Sequence, residues 1–171
     1  MSRYDAHEGV TNITIRNCAF GHQKVNLIGY GEALLENCKM SGPYIFALRS
    51  DYGSFWNGNI TLKDCTWVVN AKDKAATFTA NNTGDHDFGY PCAMPTVYTI
   101  DGLEIIANNI PEDGHIRVFT NYDRTFGDGN KPFPYKPTEK LILKNIRITD
   151  GWTLELAESP ELLPGLEVIA D

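Results

Sequence analysis

The feature that most constrains this chain is a short segment that keeps returning. Asn12-Ile-Thr-Ile-Arg-Asn-Cys18, Glu32-Ala-Leu-Leu-Glu-Asn-Cys38 and Asn59-Ile-Thr-Leu-Lys-Asp-Cys65 share one pattern, in which apolar and polar residues alternate before an Asn-Cys or Asp-Cys pair. Lys140-Leu-Ile-Leu-Lys-Asn-Ile146 repeats it with Ile in place of Cys, and the stretch from Tyr98 to Ile106 is a weaker relative. A period of two sets Ile13 and Ile15 on one strand face and Thr14 and Arg16 on the other, which marks half-buried strands. No window of the sequence carries a sustained helical stripe of apolar residues.

The spacing selects the architecture. Cys18 and Cys38 are 20 residues apart, and Cys38 and Cys65 are 27 apart. Such intervals suit single turns of a solenoid with insertions in loops, whereas antiparallel hairpins would not return the same corner at these distances. Asn and Asp tolerate left-handed backbone and can hydrogen-bond their own main chain, so they suit a sharp corner. The Cys that follows then points inward as a small, soft core residue. Cys18, Cys38 and Cys65 therefore read as free structural thiols. No Cys-x-x-Cys pair occurs, and Cys92 stands apart, so neither a zinc site nor a disulfide framework is expected.

Charge and hydropathy remove other classes. The net charge of -7 opposes binding to phosphate backbones or to anionic lipid, so no nucleic-acid partner is expected. No run of 18 apolar residues exists, so no membrane insertion is expected. No signal peptide opens the chain, and patterned sequence begins almost at once, as in a piece of a longer parent protein.

The Asn17-Cys18, Asn37-Cys38 and Asp64-Cys65 corners with their alternating strands resemble the right-handed parallel β-helix proteins. That superfamily includes pectate lyases, polygalacturonases and the tail-spike and tail-appendage proteins of bacteriophages. The opening Arg3-Tyr-Asp5-Ala-His7-Glu-Gly9 is similar to a segment of phage-tail and prophage β-helices. The resemblance implies an all-β, right-handed parallel β-helix solenoid of about six to seven coils with long loops on one flank. It also implies a carbohydrate-directed protein of a virion tail or cell surface, a polysaccharide partner and a homotrimer. The alternatives are a non-catalytic structural or adhesive solenoid and a secreted polysaccharide lyase or hydrolase.

Along the 171 residues a single domain is expected. Residues 1–70 read as regular coils, 71–97 and 121–138 as loop excursions, and 139–171 as the last coils with a C-terminal cap. Aligning coils on their corners sets Asp5 and His7 on one flank with Arg49 and Asp51, two coils away, and gives the middle coil Asn26 and Ile28 at these places. Two strand steps span about 10 Å, near the separation of about 6.5–9.5 Å between the carboxyl groups of inverting glycosidases. Asp5, His7, Arg49 and Asp51 are therefore the candidate catalytic group, against the plainer reading of ion pairs that brace the flank.

Arg3, Tyr52, Trp56, His86, Tyr90, Tyr122, Asp123 and Arg124 are candidate substrate-binding residues, because aromatic faces beside polar groups suit sugar rings. Asp85-His86-Asp87 reads as a solvated turn. The paired aspartates of polygalacturonases are missing, and no acidic cluster resembles a calcium cage. No metal or cofactor is expected, with Ca2+ the one alternative, which the lyase resemblance carries.

Overall fold

The computed structural model describes residues 10–21, 24–27, 29–49, 56–81, 94–120, 137–158, 163 and 165–171, with backbone alone at 48, 49, 80 and 81. Their strands are β1 (Val10–Arg16), β2 (Ala19–Phe20), β3 (Val25–Asn26), β4 (Gly29–Glu36), β5 (Lys39–Gly42), β6 (Tyr44–Arg49) and β7 (Trp56–Asn70). They continue with β8 (Lys74–Asn81), β9 (Val97–Asn109), β10 (His115–Phe119), β11 (Lys140–Lys144), β12 (Arg147–Ile148), β13 (Leu154–Glu155) and β14 (Glu167–Ala170). Among the described residues there is no helix.

The strands form two sheets. In one, β1, β4, β7, β9, β11 and β14 lie side by side in that order, with β2, β5 and β12 attached. In the other, the order is β13, β10, β8, β6, β3. Every described pairing is parallel. The chain passes from one sheet to the other and back, and each return lies beside the previous one. This all-β, parallel arrangement is compatible with the expected stack of coils.

The register aligns the sequence repeats. Ile13, Ala33, Ile60, Tyr98 and Leu141 form one row, and Ile15, Leu35, Leu62, Ile100 and Leu143 form another. Ile60, Leu62, Tyr98, Ile100 and Leu141 are buried, each at 1% exposure or less. Burying such a side chain contributes about 1.5–3 kcal/mol. On the second sheet Phe46, Phe78 and Phe119 are register partners, with ring centroids 6.1 and 6.2 Å apart. Tyr98 reaches them from the first sheet, 5.9 Å from Phe78, so the aromatic column joins the two sheets.

The corner pattern explains the Asn-Cys signature. Asn17, Asn37, Asp64 and Asn145 all have left-handed backbone, with φ of 56°, 52°, 50° and 51°. In the weaker repeat the equivalent residue is Gly102, with φ 78°. A side chain there would also meet Asp64, whose Oδ1 lies 2.6 Å from the position a Cβ would take. Neighbouring corners are linked: Asn37 Nδ2 donates to Asn17 Oδ1 at 2.7 Å. The expected inward packing holds for two of the cysteines that follow and not for Cys18. Cys38 and Cys65 are buried, Cys18 is exposed, and all three are free thiols. Cys38 Sγ donates to Ile15 O at 3.6 Å, and Cys65 Sγ donates to Leu35 O at 3.5 Å, one pass further on. Burial pushes the Cys65 thiol pKa up. Cys92 lies outside the described residues.

Beside the corners runs a row of alternating charge: Arg16, Glu36, Lys63, Asp101 and Lys144. Glu36 is held by Lys63 Nζ at 2.9 Å and by Arg16 Nε at 2.6 Å. These two cations keep its carboxyl below the usual range, Lys63 more than Arg16.

The excursion expected over 71–97 differs in its first part. Lys74–Asn81 is strand β8, seated between β6 and β10. Its run of Ala and Thr lacks the corner signature, yet Ala75, Ala76, Thr77 and Phe78 are buried. The small side chains let this strand sit deep in the second sheet.

Candidate functional site

Of the candidate catalytic residues, Asp5, His7 and Asp51 lie outside the described residues, as do Arg3, Tyr52, His86, Tyr90, Tyr122, Asp123 and Arg124. Arg49 ends β6, where its backbone pairs with Asn81 of β8. The β3–β6 register sets Asn26 against Ala47 rather than Arg49, so the alignment over the middle coil is displaced by two residues.

Trp56, expected on a sugar-binding surface, is a core residue at 2% exposure. Its Nε1 donates to Gly31 O and Asn59 O, both at 3.0 Å. A buried indole keeps its N–H satisfied in this way, and with both face and edge covered it offers no stacking platform.

The described polar cluster that can engage a ligand lies instead at the β13 edge of the second sheet. A turn at Pro111–Gly114 opens β10, with Gly114 N donating to Pro111 O at 2.8 Å. Glycine is required there, because an added Cβ would stand 2.5 Å from Ile110 and 2.9 Å from the Asp73 carbonyl. His115 N then donates to Asp73 O at 2.9 Å, which fixes the start of β10. The next pass turns at Gly151, φ 84°, with Trp152 N donating to Thr149 O at 3.1 Å. Parallel pairing of β10 with β13 sets Ile116 beside Leu154 and Arg117 beside Glu155. Sequence positions about forty residues apart thereby share one surface.

Glu155 is the centre of the cluster. His115 Nδ1 lies 3.0 Å from its Oε1, and Arg117 Nε donates to its Oε2 at 2.9 Å. Arg117 Nη1 also reaches Glu158 Oε2 at 3.5 Å. Arg117 is buried at 7% exposure, and two carboxylates compensate its charge. The hydrogen bond from His115, then that from Arg117, hold the Glu155 carboxyl below the usual range against the opposing effect of burial. Because Glu155 engages Nδ1, Nε2 is the ring nitrogen of His115 left for a ligand.

An open cleft of about 220 Å³ adjoins this cluster, lined by Glu112, Asp113, His115, Trp152, Thr153 and Glu155. Around the Thr149–Trp152 turn lies a second open cleft of about 280 Å³, which includes Glu104, Arg147 and Asp150. No family model, curated protein or solved structure matches the chain. Carboxylates and hydroxyls line both clefts, and in the first they stand beside the partly buried indole of Trp152, a set that can exchange hydrogen bonds with a polyhydroxylated ligand and cover one apolar face of it. Among the described residues, no three His, Cys, Asp or Glu side chains are grouped to hold a metal ion.

Sequence reasoning missed this cluster because its parts lie on separate passes. The available signal was the strand alternation in His115-Ile-Arg117-Val, where two polar side chains flank an apolar one.

Proposed function

We propose that this chain is a right-handed parallel β-helix solenoid that binds a surface polysaccharide, as a component of a virion tail or a cell surface. The fold reading is supported by parallel pairing throughout and by left-handed corners that recur in register. The hand follows from the strong preference of parallel crossovers for right-handed connection. The observation that carries the binding reading is the cleft in which Trp152 stands beside Glu112, Asp113, His115 and Glu155. Sugar rings present hydroxyl edges to carboxylates and C–H faces to an indole. The acidic lining favours neutral or amino sugars over uronates, which like charge would repel.

Binding is a better reading of this cleft than cleavage. A glycosidase acid needs a carboxyl with a raised pKa. Glu155 is shifted the other way, by the hydrogen bonds it accepts from His115 and Arg117. A spacer or adhesive solenoid is the second reading, favoured by how fully the Arg16–Glu36–Lys63 charges satisfy one another. A glycan array of bacterial surface polysaccharides, probed with the chain and with Trp152→Ala, decides between them. The binding reading expects retention of neutral or amino-sugar polymers that the variant loses. Retention of none sinks it and leaves the spacer.

A further inference from the structure

The two ends of the larger sheet are complementary. The row of alternating charge begins with Arg16 on β1 and passes through Glu36, Lys63, Asp101 and Lys144. Asp171 N donates to Leu143 O, which sets Asp171 next in that row. One edge thus presents a cation and the other an anion at the same register position. The apolar rows behave alike. Val168 follows Ile60, Tyr98 and Leu141 in an inward row, yet it is 45% exposed while they are buried. On the opposite face Ile169 is 38% exposed, and at the far edge Val10 is 51% exposed. All four residues of β14 are exposed, and among the described residues β14 and β1 are the ends of the strand order.

The geometry points to head-to-tail stacking of two copies, in which β14 of one pairs in parallel with β1 of the next. Continuing the register would bring Val168 to Ile13, Ala170 to Ile15, Asp171 to Arg16 and Glu167 to Asn12. Each contact repeats a type found within the chain, as in the Arg16–Glu36 pair and the bond from Asn59 Nδ2 to Glu32 Oε1 at 2.7 Å. The competing arrangement, antiparallel β14 on β14 about Ile169, would set Glu167 opposite Asp171. Like charges in directly opposed positions are destabilising. Stacking of unlike edges does not close on itself, so it builds open chains rather than a single dimer.

Sedimentation velocity of the 171-residue chain over a concentration series tests this. The expected result is a weight-average mass that rises past the dimer with concentration and falls with added salt, as a charge-assisted contact should. Val168→Lys should lower the association constant at least tenfold without altering the far-ultraviolet circular dichroism. For orientation, Arg16→Cys and Asp171→Cys chains, each also carrying Cys18→Ser, are mixed under mild oxidation and the linked peptides read by mass spectrometry. Neighbouring parallel strands lie about 4.8 Å apart, close enough for a disulfide. A link between positions 16 and 171 supports the stacking. A monomer at every concentration, links between two 171 positions only, or unchanged association of Val168→Lys would each overturn it.

Discussion

Replacing Asn37 separates the two roles of a corner residue. Asn37 holds φ at 52° and donates to Asn17 at 2.7 Å. Alanine loses the hydrogen bond, worth about 0.5–1 kcal/mol at an exposed site. It also carries the steric cost of left-handed backbone, about 1–2 kcal/mol. The expected loss for Asn37→Ala is therefore about 1.5–3 kcal/mol. Glycine loses the same hydrogen bond and adds about 0.5–1 kcal/mol of chain entropy, but it carries no steric cost. Asn37→Gly should therefore lose about 1–2 kcal/mol, less than alanine despite having the smaller side chain. Urea denaturation followed by tryptophan fluorescence reads the difference. With a slope of about 2 kcal/mol per molar, the midpoints should differ by a few tenths of a molar, glycine the higher. An alanine variant as stable as the glycine variant would show that corner backbone strain does not select Asn, Asp and Gly at these positions.

Other outcomes follow from the core, the thiols and the β10–β13 cluster. Leu62→Ala removes a side chain with no exposure and should lower stability by about 2–5 kcal/mol, read from the same urea midpoints. A thiol reagent with peptide mapping should label exposed Cys18 at once, and Cys38 and Cys65 only as the chain unfolds. Glu155 has a folded pKa below its unfolded value of about 4.3, so its contribution is present above that pH and fades as pH falls through the folded value. Glu155→Gln should therefore lower the urea midpoint at neutral pH and narrow the gap to the parent on acidification; a gap that widens toward acid contradicts the assignment. Trp56→Ala should destabilise the whole chain, in contrast to Trp152→Ala, which should lower glycan retention with a smaller change in midpoint.

The first sheet was legible because its repeats are spelled in residue types that physics demands. Only a few residues accept a left-handed corner, and Asn17, Asn37, Asp64 and Asn145 all stand there. Gly102 fills the same corner with a different residue, followed by Leu103 instead of Cys, so that repeat was faint. The second sheet was harder. β8 is built of Ala and Thr, whose burial depends on neighbours supplied by other passes, and no local pattern announces it. Trp56 reads as a sugar-binding aromatic because it follows Tyr52 and Phe55 among Gly, Ser and Asn; its partners, Gly31 and Asn59, come from the pass before it and from its own strand. The same non-local logic hid the joining of His115, Arg117 and Glu155. A sequence reveals which residues can form a corner, but the register decides which side chains meet.

The charge row has a consequence for how such a molecule can change length. Because Arg16, Glu36, Lys63, Asp101 and Lys144 alternate in sign from pass to pass, inserting a copy of any single pass would set two like charges edge to edge. Duplicating a neighbouring pair preserves the alternation. Growth by gene duplication is therefore easier in twos than in ones, and a lengthened variant with an odd number of added passes should carry a compensating charge reversal at this position.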